Sequence, residues 1–319
     1  MKVWTGDPRG WGPRPPAGTV LTIGVFDGVH RGHRAVLGAL AERACATGNL
    51  GKVVVTFDVH PRSVVVPARA PKMLTTLARR LEILEEIGID YVGVLPFGRI
   101  RHLPPEEFIR RVVVDGFDAR TVMVGRGFRY GAGRAGDVAS LRAAGETLGF
   151  DVDARRLLES TRGPISSSRI RRCIAEGDMV TANRLLGRPH ELAARITERA
   201  GEGTGYGLPV ADVEADPSMA IPGQGLYAAW TVTREGAVPT VCDIAARHPR
   251  SGSTGSIRSH SLDPADELRP GEVRIRFVGR LGDRRQAGGR DGGPGRIELG
   301  AARAARRLLD RTELRMDDS

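Results

Sequence analysis

The sequence predicts an α/β domain built on a parallel sheet with helices on both faces, followed by a small antiparallel β-barrel and a C-terminal helix. Three observations carry this expectation. From residue 19 to 187, short apolar runs alternate with stretches of helical periodicity, the pattern of strands joined by crossover helices. Beyond Gly187-Arg188-Pro189, Gly and Pro punctuate short alternating runs, which suits a barrel or sandwich of short strands. Near residue 299 an arginine-rich amphipathic run begins. At 319 residues the chain is long for one domain and comfortable for two.

Taken in order, residues 1–18 contain Gly-Asp-Pro, Gly-Trp-Gly-Pro and Pro-Pro and are expected to be a lead-in with little regular structure. A domain over 19–187 then has strands at 20–25, 52–57, 91–95 and 121–125. Helices are expected near 34–46, 75–87, 105–114 and 136–148, with two more at Ser167–Ala175 and Met179–Leu186 closing this half. In such a sheet, ligands sit outside the carboxyl ends of the strands. A barrel over 188–285 should use runs such as 226–232, 240–245 and 273–278. Residues 286–319 should hold the rest of a glycine-rich loop, which starts near 282, and a helix at 299–311.

Composition narrows the class. Hydrophobic residues make up 40% and charged residues 27%, an ordinary globular balance. There is no apolar leader, and no stretch approaches the roughly 18 apolar residues of a membrane span, so a cytoplasmic protein is expected. Cys45, Cys173 and Cys242 are far apart and in no Cys-x-x-Cys spacing, which argues against a disulfide framework and a zinc site. The net charge of +10 indicates a liking for anions rather than a particular partner. With only 5% aromatic residues, a base-stacking surface for nucleic acid is not expected. Self-association stays open.

Chemistry concentrates in two places. From Thr19 to His33 the chain reads as a buried strand that breaks at Gly24 and turns through Asp27 and Gly28 into His30 and His33. Both imidazoles thus fall at or near a helix N-terminus, where unpaired N–H groups and the positive end of the helix dipole favour phosphate. Gly32 leaves room for phosphates to approach the backbone. Taken alone, two histidines three apart read more readily as turn and cap residues. The second cluster, Ser166-Ser167-Ser168-Arg169, offers hydroxyls that can cap a helix and an arginine that can clamp phosphate. Taken alone, this cluster reads more readily as a plainly capped helix with a solvated basic face, because Ser caps are common.

His30-Arg31-Gly32-His33 in its strand-turn-helix setting resembles the His-x-Gly-His signature of the nucleotidyltransferase superfamily, and Ile165-Ser166-Ser167-Ser168-Arg169-Ile170-Arg171 resembles the Ile-Ser-Ser-Thr-x-Ile-Arg motif downstream. Phe57-Asp58-Val59-His60-Pro61, Leu74-Thr75-Thr76 with Arg79 and Glu82, Pro105-Glu106-Glu107-Phe108 and Val124 to Gly131 follow in the order seen in the FMN adenylyltransferase module of bacterial bifunctional riboflavin kinase/FAD synthetases. The resemblance spans residues 19–190. It implies a Rossmann-like nucleotidyltransferase domain, with ATP and FMN as substrates, Mg²⁺ as cofactor and pyrophosphate as product. His30, His33, Ser167, Ser168 and Arg169 would then be the catalytic residues. Gly24, Phe26, Asp27, Gly28, Gly32 and Ser166 would bind nucleotide, and Phe57, Asp58, His60, Phe128 and Arg129 would bind flavin.

Two departures stand out within that module. Gly127 occupies a position that is usually acidic or an amide, and Arg126 one that is often acidic. The second half resembles the riboflavin kinase barrel in order, through Gly207 to Asp212, Gly225 to Trp230 and Ile257 to Asp263. Its chemistry differs. Val210 replaces a hydroxyl-bearing residue, Arg258 stands where a catalytic Glu is expected, and Ala246-Arg247-His248-Pro249 replaces a Gly-x-Asn-Pro turn. Asp212 could still ligate a metal. The expectation is adenylyl transfer without riboflavin phosphorylation. A paralogue acting on a modified flavin or another triphosphate, and a non-catalytic flavin- or nucleotide-binding regulator, are the alternatives.

Overall fold

A computed structural model describes residues 1–12, 17–156, 159–160, 163–199, 209–245, 256–266, 268–283 and 299–316. The chain divides into two compact units, Met1–Pro71 with Leu77–Ser166, and Lys72–Thr76 with Ser167–Ser319.

The first unit is a six-stranded parallel sheet. In chain order its elements are β1 (Lys2–Thr5), β2 (Thr19–Ile23), α1 (Arg31–Ala46), β3 (Gly51–Phe57), α2 (Pro61–Val65), α3 (Leu77–Glu86), β4 (Tyr91–Leu95), α4 (Phe97–Ile100), α5 (Pro105–Phe108), β5 (Ala119–Gly125), α6 (Val138–Leu148) and β6 (Asp151–Arg155), then a two-stranded ladder of β7 (Glu159–Ser160) and β8 (Gly163–Pro164). The helix that α5 begins continues as a π-helix over Ile109–Gly116. The strand order is β1-β4-β3-β2-β5-β6. From β2 the chain moves one way to β3 and β4, then crosses back to β5 and β6. That reversal puts the topological switch point between β2 and β5, at the carboxyl edge.

Alternation explains why both sheet faces are covered. Leu21, Ile23, Val53, Val55, Val122 and Val124 pack against Phe108, Ile109, Val112, Val113 and Leu141 on one side. Val20, Val54, Val92 and Met123 pack against Leu37, Leu40, Ile83 and Leu84 on the other. Leu37, Leu40 and Ala44 recur at helical spacing, so one stripe of α1 is buried.

The lead-in departs from expectation. Residues 2–5 form β1, paired in parallel with β4, and Pro8–Gly10 form a 3₁₀ turn. Burial of aromatic surface overrides the Gly and Pro punctuation: Trp4 and Trp11 gather with Tyr91 and Phe117, with ring centroids 4.9–6.2 Å apart. Gly93 in β4 makes this possible, because a Cβ there would meet Trp11 at 2.6 Å. Strand β6 also goes beyond the expected set; its residues alternate charge with small apolar side chains and carry little hydrophobic signal.

The second unit holds α7 (Ser167–Glu176), α8 (Met179–Leu186), six strands and α9 (Leu299–Met316). The strands β9 (His190–Arg199), β10 (Val210–Ala215), β11 (Gly225–Val232), β12 (Ala237–Ile244), β13 (Ile257–Ser261) and β14 (Gly271–Gly282) close an antiparallel barrel in the order β10-β13-β12-β11-β14-β9. Helices α7 and α8, expected to close the first half, group with this barrel. Asn183 in α8 ties them, its amide donating to Phe277 O at 2.8 Å and its Oδ1 accepting the His190 N–H at 2.8 Å. The terminal helix runs beyond the expected 311 and buries Ala305 and Leu309 against Leu226, Ala228 and Val241. Most of the expected glycine-rich loop lies outside the described residues.

Candidate active site

The turn after β2 is built under strain. Phe26 and the β-branched Val29 adopt φ of +50° and +36°, and Gly28 lies at +85°. Non-glycine residues in this region cost about 1–3 kcal/mol each and persist where the surroundings enforce them. Here the enforcement is visible. The Gly24 N–H bonds to Val55 O at 3.0 Å, the Val29 N–H to Phe26 O at 3.0 Å, and both Phe26 and Val29 are buried.

His30 caps α1. Its Nδ1 accepts the His33 N–H at 3.3 Å and its carbonyl accepts the Arg34 N–H at 2.9 Å. A ring whose Nδ1 accepts carries its proton on Nε2, so His30 has a donor at that atom. The His33 ring stacks on that of His30 with centroids 3.6 Å apart and planes within 15°, and Phe26 lies 5.0 Å away on its own contact with His33. Gly32 is needed for packing as much as for access: a Cβ there would sit 3.1 Å from the His30 ring and 3.3 Å from Ile165 O.

Asp27 is buried in the same turn, and a buried arginine faces it electrostatically. This is Arg80, 2% exposed, which donates from Nη1 to Thr56 Oγ1 at 3.0 Å and Phe57 O at 3.2 Å. Thr56 Oγ1 in turn donates to Val25 O at 3.0 Å. Burial pulls the Arg80 pKa down and the Asp27 carboxylate pushes it back up. Sequence reading singled out Arg79 instead, which bonds Glu82 and Glu86 at 2.8 Å each, near the surface. The signal for Arg80 was its place three residues after Leu77 and four before Leu84, on the helix stripe that faces the core.

On the other face of the sheet a cavity of about 620 Å³ opens at the strand ends. Ile23, Phe57, Phe97, Ile100, Phe108, Phe128 and Tyr130 give it apolar and aromatic walls, and Gly24 and Val25 of the turn border it. Phe57 meets Phe97 edge-on at 5.5 Å, and Phe128 stacks with Tyr130 at 5.7 Å. Among the described residues its charged lining is all cationic, Arg62, Arg101, Arg129 and Arg134, with no carboxylate. Arg129 pairs with Asp137 at 3.4 Å. Such a cavity suits a flat aromatic anion.

Of the expected flavin residues, Phe57, Phe128 and Arg129 line this cavity. Asp58 and His60 shape its rim: Asp58 Oδ1 accepts the Phe97 N–H at 3.0 Å, and His60 Nδ1 accepts the Arg62 N–H at 3.1 Å and caps α2. Ser166 ends the first unit, while Ser167, Ser168 and Arg169 form the first turn of α7 in the second.

In the barrel, Arg258 stands directly opposite Asp212 in the β10–β13 ladder, and its Nε donates to Asp212 Oδ1 at 2.9 Å. Val210 is buried at the start of β10. The turn at 246–249 lies outside the described residues. Among the described residues no group of three or more His, Cys, Asp or Glu side chains comes together to hold a metal, and no helix is long and apolar enough to cross a membrane.

Comparison with known proteins agrees in both halves. The FAD synthetase family model matches residues 13–169 and the riboflavin kinase model residues 186–289. The bifunctional riboflavin kinase/FMN adenylyltransferase of Escherichia coli strain K12 is 35% identical over 256 residues, covering 80% of this chain and 81% of that protein. The Pseudomonas fluorescens enzyme of the same description is 35% identical over 266 residues, covering 83% and 85%. The Bacillus subtilis one is 28% identical over 285 residues, covering 86% and 87%. A crystal structure described as a macrolide-efflux protein from Streptococcus pneumoniae superposes with a TM-score of 0.81 at 19% identity, covering 98% of this chain and 97% of that one, a likeness of fold.

Proposed function

The chain belongs to the bifunctional riboflavin kinase/FMN adenylyltransferase family and is a nucleotidyltransferase, and from that premise we propose that it transfers AMP from ATP to FMN while its barrel no longer phosphorylates riboflavin. The observation that carries the first half is the stacked His30–His33 pair at the N-terminus of α1, with an aromatic cavity that bears four arginines at the same strand ends. In the reaction a phosphate oxygen of FMN attacks the α-phosphorus of ATP. The bond from that phosphorus to the bridging oxygen breaks, and pyrophosphate leaves with its electron pair. No protein nucleophile is needed, because the FMN phosphate is itself the nucleophile. The protein's task is to position two anions and to meet charge that develops on the transferring and leaving oxygens.

His30 Nε2–H and the N-terminal N–H groups of α1 supply fixed donors for that charge. Ser167, Ser168 and Arg169 of α7 are proposed to hold the leaving phosphates, with Arg169 as a bidentate clamp. Phe26, Gly24, Gly28, Gly32 and Ser166 are proposed to border the nucleotide. Phe57, Phe128 and Arg129 are proposed to hold the flavin ring, with Asp58 and His60 fixing the loop that bears Phe97 and Arg62. Mg²⁺ would enter on the triphosphate: it keeps waters and takes one or two carboxylates plus phosphate oxygens, and Asp27 is the carboxylate of the turn.

Loss of the kinase is supported by the Arg258–Asp212 pair. A guanidinium cannot serve as general base, and it engages Asp212, a carboxylate two residues from the missing hydroxyl of Val210 that could otherwise ligate a metal. The test is pyrophosphate release and FAD formation from FMN, ATP and Mg²⁺ by the purified chain. His30→Ala should lower the rate by about a hundredfold or more. If FMN yields no dinucleotide with any of the four nucleoside triphosphates, the assignment is wrong.

A further inference from the structure

A second cleft of about 590 Å³ lies at the carboxyl ends of β5 and β6, lined by Gly125, Arg126, Gly127, Phe128, Arg155, Arg156 and Pro164. Gly125 and Arg155 are partners in the parallel ladder, and the Arg126 N–H bonds to Arg155 O at 2.9 Å. Arg126 and Arg156 are therefore the first residues beyond two hydrogen-bonded neighbouring strands, and both are exposed. Arg155 is paired with Asp153 at 2.8 Å, whereas Arg126 and Arg156 make no ion pair among the described residues. Among the described residues no carboxylate lines the cleft. Like charges set side by side on adjacent strands repel, and an anion between them removes the penalty.

We propose that this cleft is the cradle for the phosphate of the acceptor, an inference that rests on the FMN adenylyltransferase reading above. Two features choose the acceptor over the nucleotide. The cleft shares Gly127 and Phe128 with the aromatic cavity, so a ring seated there has its phosphate within reach of the arginines. Gly127 is exposed and does not need to be glycine for packing, since a Cβ would meet nothing within 4 Å; the missing side chain leaves open space at the wall that cavity and cleft share. Three of the four cavity arginines are placed differently. Arg62 and Arg101 follow β3 and β4, on the far side of β2, and Arg129 is already paired with Asp137. Arg126 instead follows β5, which flanks the switch point where the histidine turn begins. The reaction requires a phosphate monoester to approach a triphosphate, and two rigidly based guanidiniums offset that repulsion.

The experiment compares the full-length chain with R126Q/R156Q and with the charge-keeping R126K/R156K, reading three constants in FMN adenylylation: KM for FMN, KM for ATP, and Ki for riboflavin as a competitor of FMN. Riboflavin offers the ring without the phosphate, so its Ki reports the aromatic cavity alone. In R126Q/R156Q the KM for FMN should rise by about tenfold or more, with the riboflavin Ki and the ATP KM changing less than about twofold; R126K/R156K should recover much of the loss. An unchanged FMN KM, a rise in the ATP KM instead, or an equal rise in the riboflavin Ki would overturn the cradle. Wild-type conversion of FMN to FAD is read in the same assay, so failure of the broader assignment shows as an inactive parent chain, and failure of the cradle as an active parent with an indifferent variant.

Discussion

At the scale of single residues, the candidate site depends on side chains that build the turn and that, under the proposed function, would also serve the chemistry. His30 caps a helix and keeps a proton on Nε2; Gly32 makes room for that same ring. Arg80 joins the end of β3 to the turn through Thr56 and offsets the charge of buried Asp27. Replacing it with Met should cost about 3 kcal/mol in chemical denaturation, because the hydrogen bonds of this buried side chain to Thr56 Oγ1 and Phe57 O and its charge opposite Asp27 would be lost together, and Arg80→Lys should recover part of that loss. A cost for Arg80→Met below about 1 kcal/mol would deny it this role. The histidines were readable from sequence because their spacing is local. For Arg80 only its burial is signalled locally, by its place on the core-facing stripe of its helix; its partners Thr56 and Asp27 are distant in the chain and brought close only by the sheet. Arg155 and Arg156 escaped for the same reason: they become neighbours of Arg126 through strand pairing.

At the scale of elements, the strongly apolar strands and the periodic helices could be read directly, within a few residues at their ends. The exceptions have physical causes. β1 is four residues long and draws its stability from Trp4 and its neighbours rather than from its own pattern. The region expected as one helix at 105–114 begins as α5 and continues as a π-helix to Gly116, a change of winding that residue periodicity does not reveal. Helix α6 shows a device that is legible locally: Asp137 accepts the Ser140 N–H at 3.0 Å while Ser140 Oγ accepts the Asp137 N–H at 2.9 Å, a capping box. The Ser140 N–H holds the Asp137 carboxyl below its ordinary 3.8. A carboxyl whose folded pKa is depressed stabilises the fold above its unfolded value and loses that contribution as pH falls through the folded one. Asp137→Ala should therefore lower the melting temperature at neutral pH, and the gap to the wild type should close below pH 3.8. A gap that persists unchanged in acid would mean that the carboxylate's charge is not its source.

At the scale of the whole molecule, the two units keep a shared family plan, and under the proposed function only the first keeps its chemistry. The sheet unit retains the histidine turn, the aromatic cavity and a cationic surround. The barrel retains closure, a buried core and a helix against it, yet at its β10–β13 ladder an arginine holds the carboxylate that a phosphoryl-transfer site would use. Closure of the barrel depends on apolar alternation, which Val210 and its ladder keep; kinase catalysis would depend on single polar groups, and the proposed loss of that activity rests on Val210 and Arg258. The order of domains was clear in the sequence, but the grouping of α7 and α8 with the barrel rests on Asn183, whose partners lie on β9 and β14. The central claim is adenylyl transfer without riboflavin phosphorylation, and one measurement addresses it most directly. The purified chain is incubated with ATP and Mg²⁺ and given either FMN or riboflavin, and the flavin products are identified by mass. FAD from FMN, with neither FMN nor FAD from riboflavin, is the predicted result. FMN formed from riboflavin, or no FAD from FMN, would contradict it.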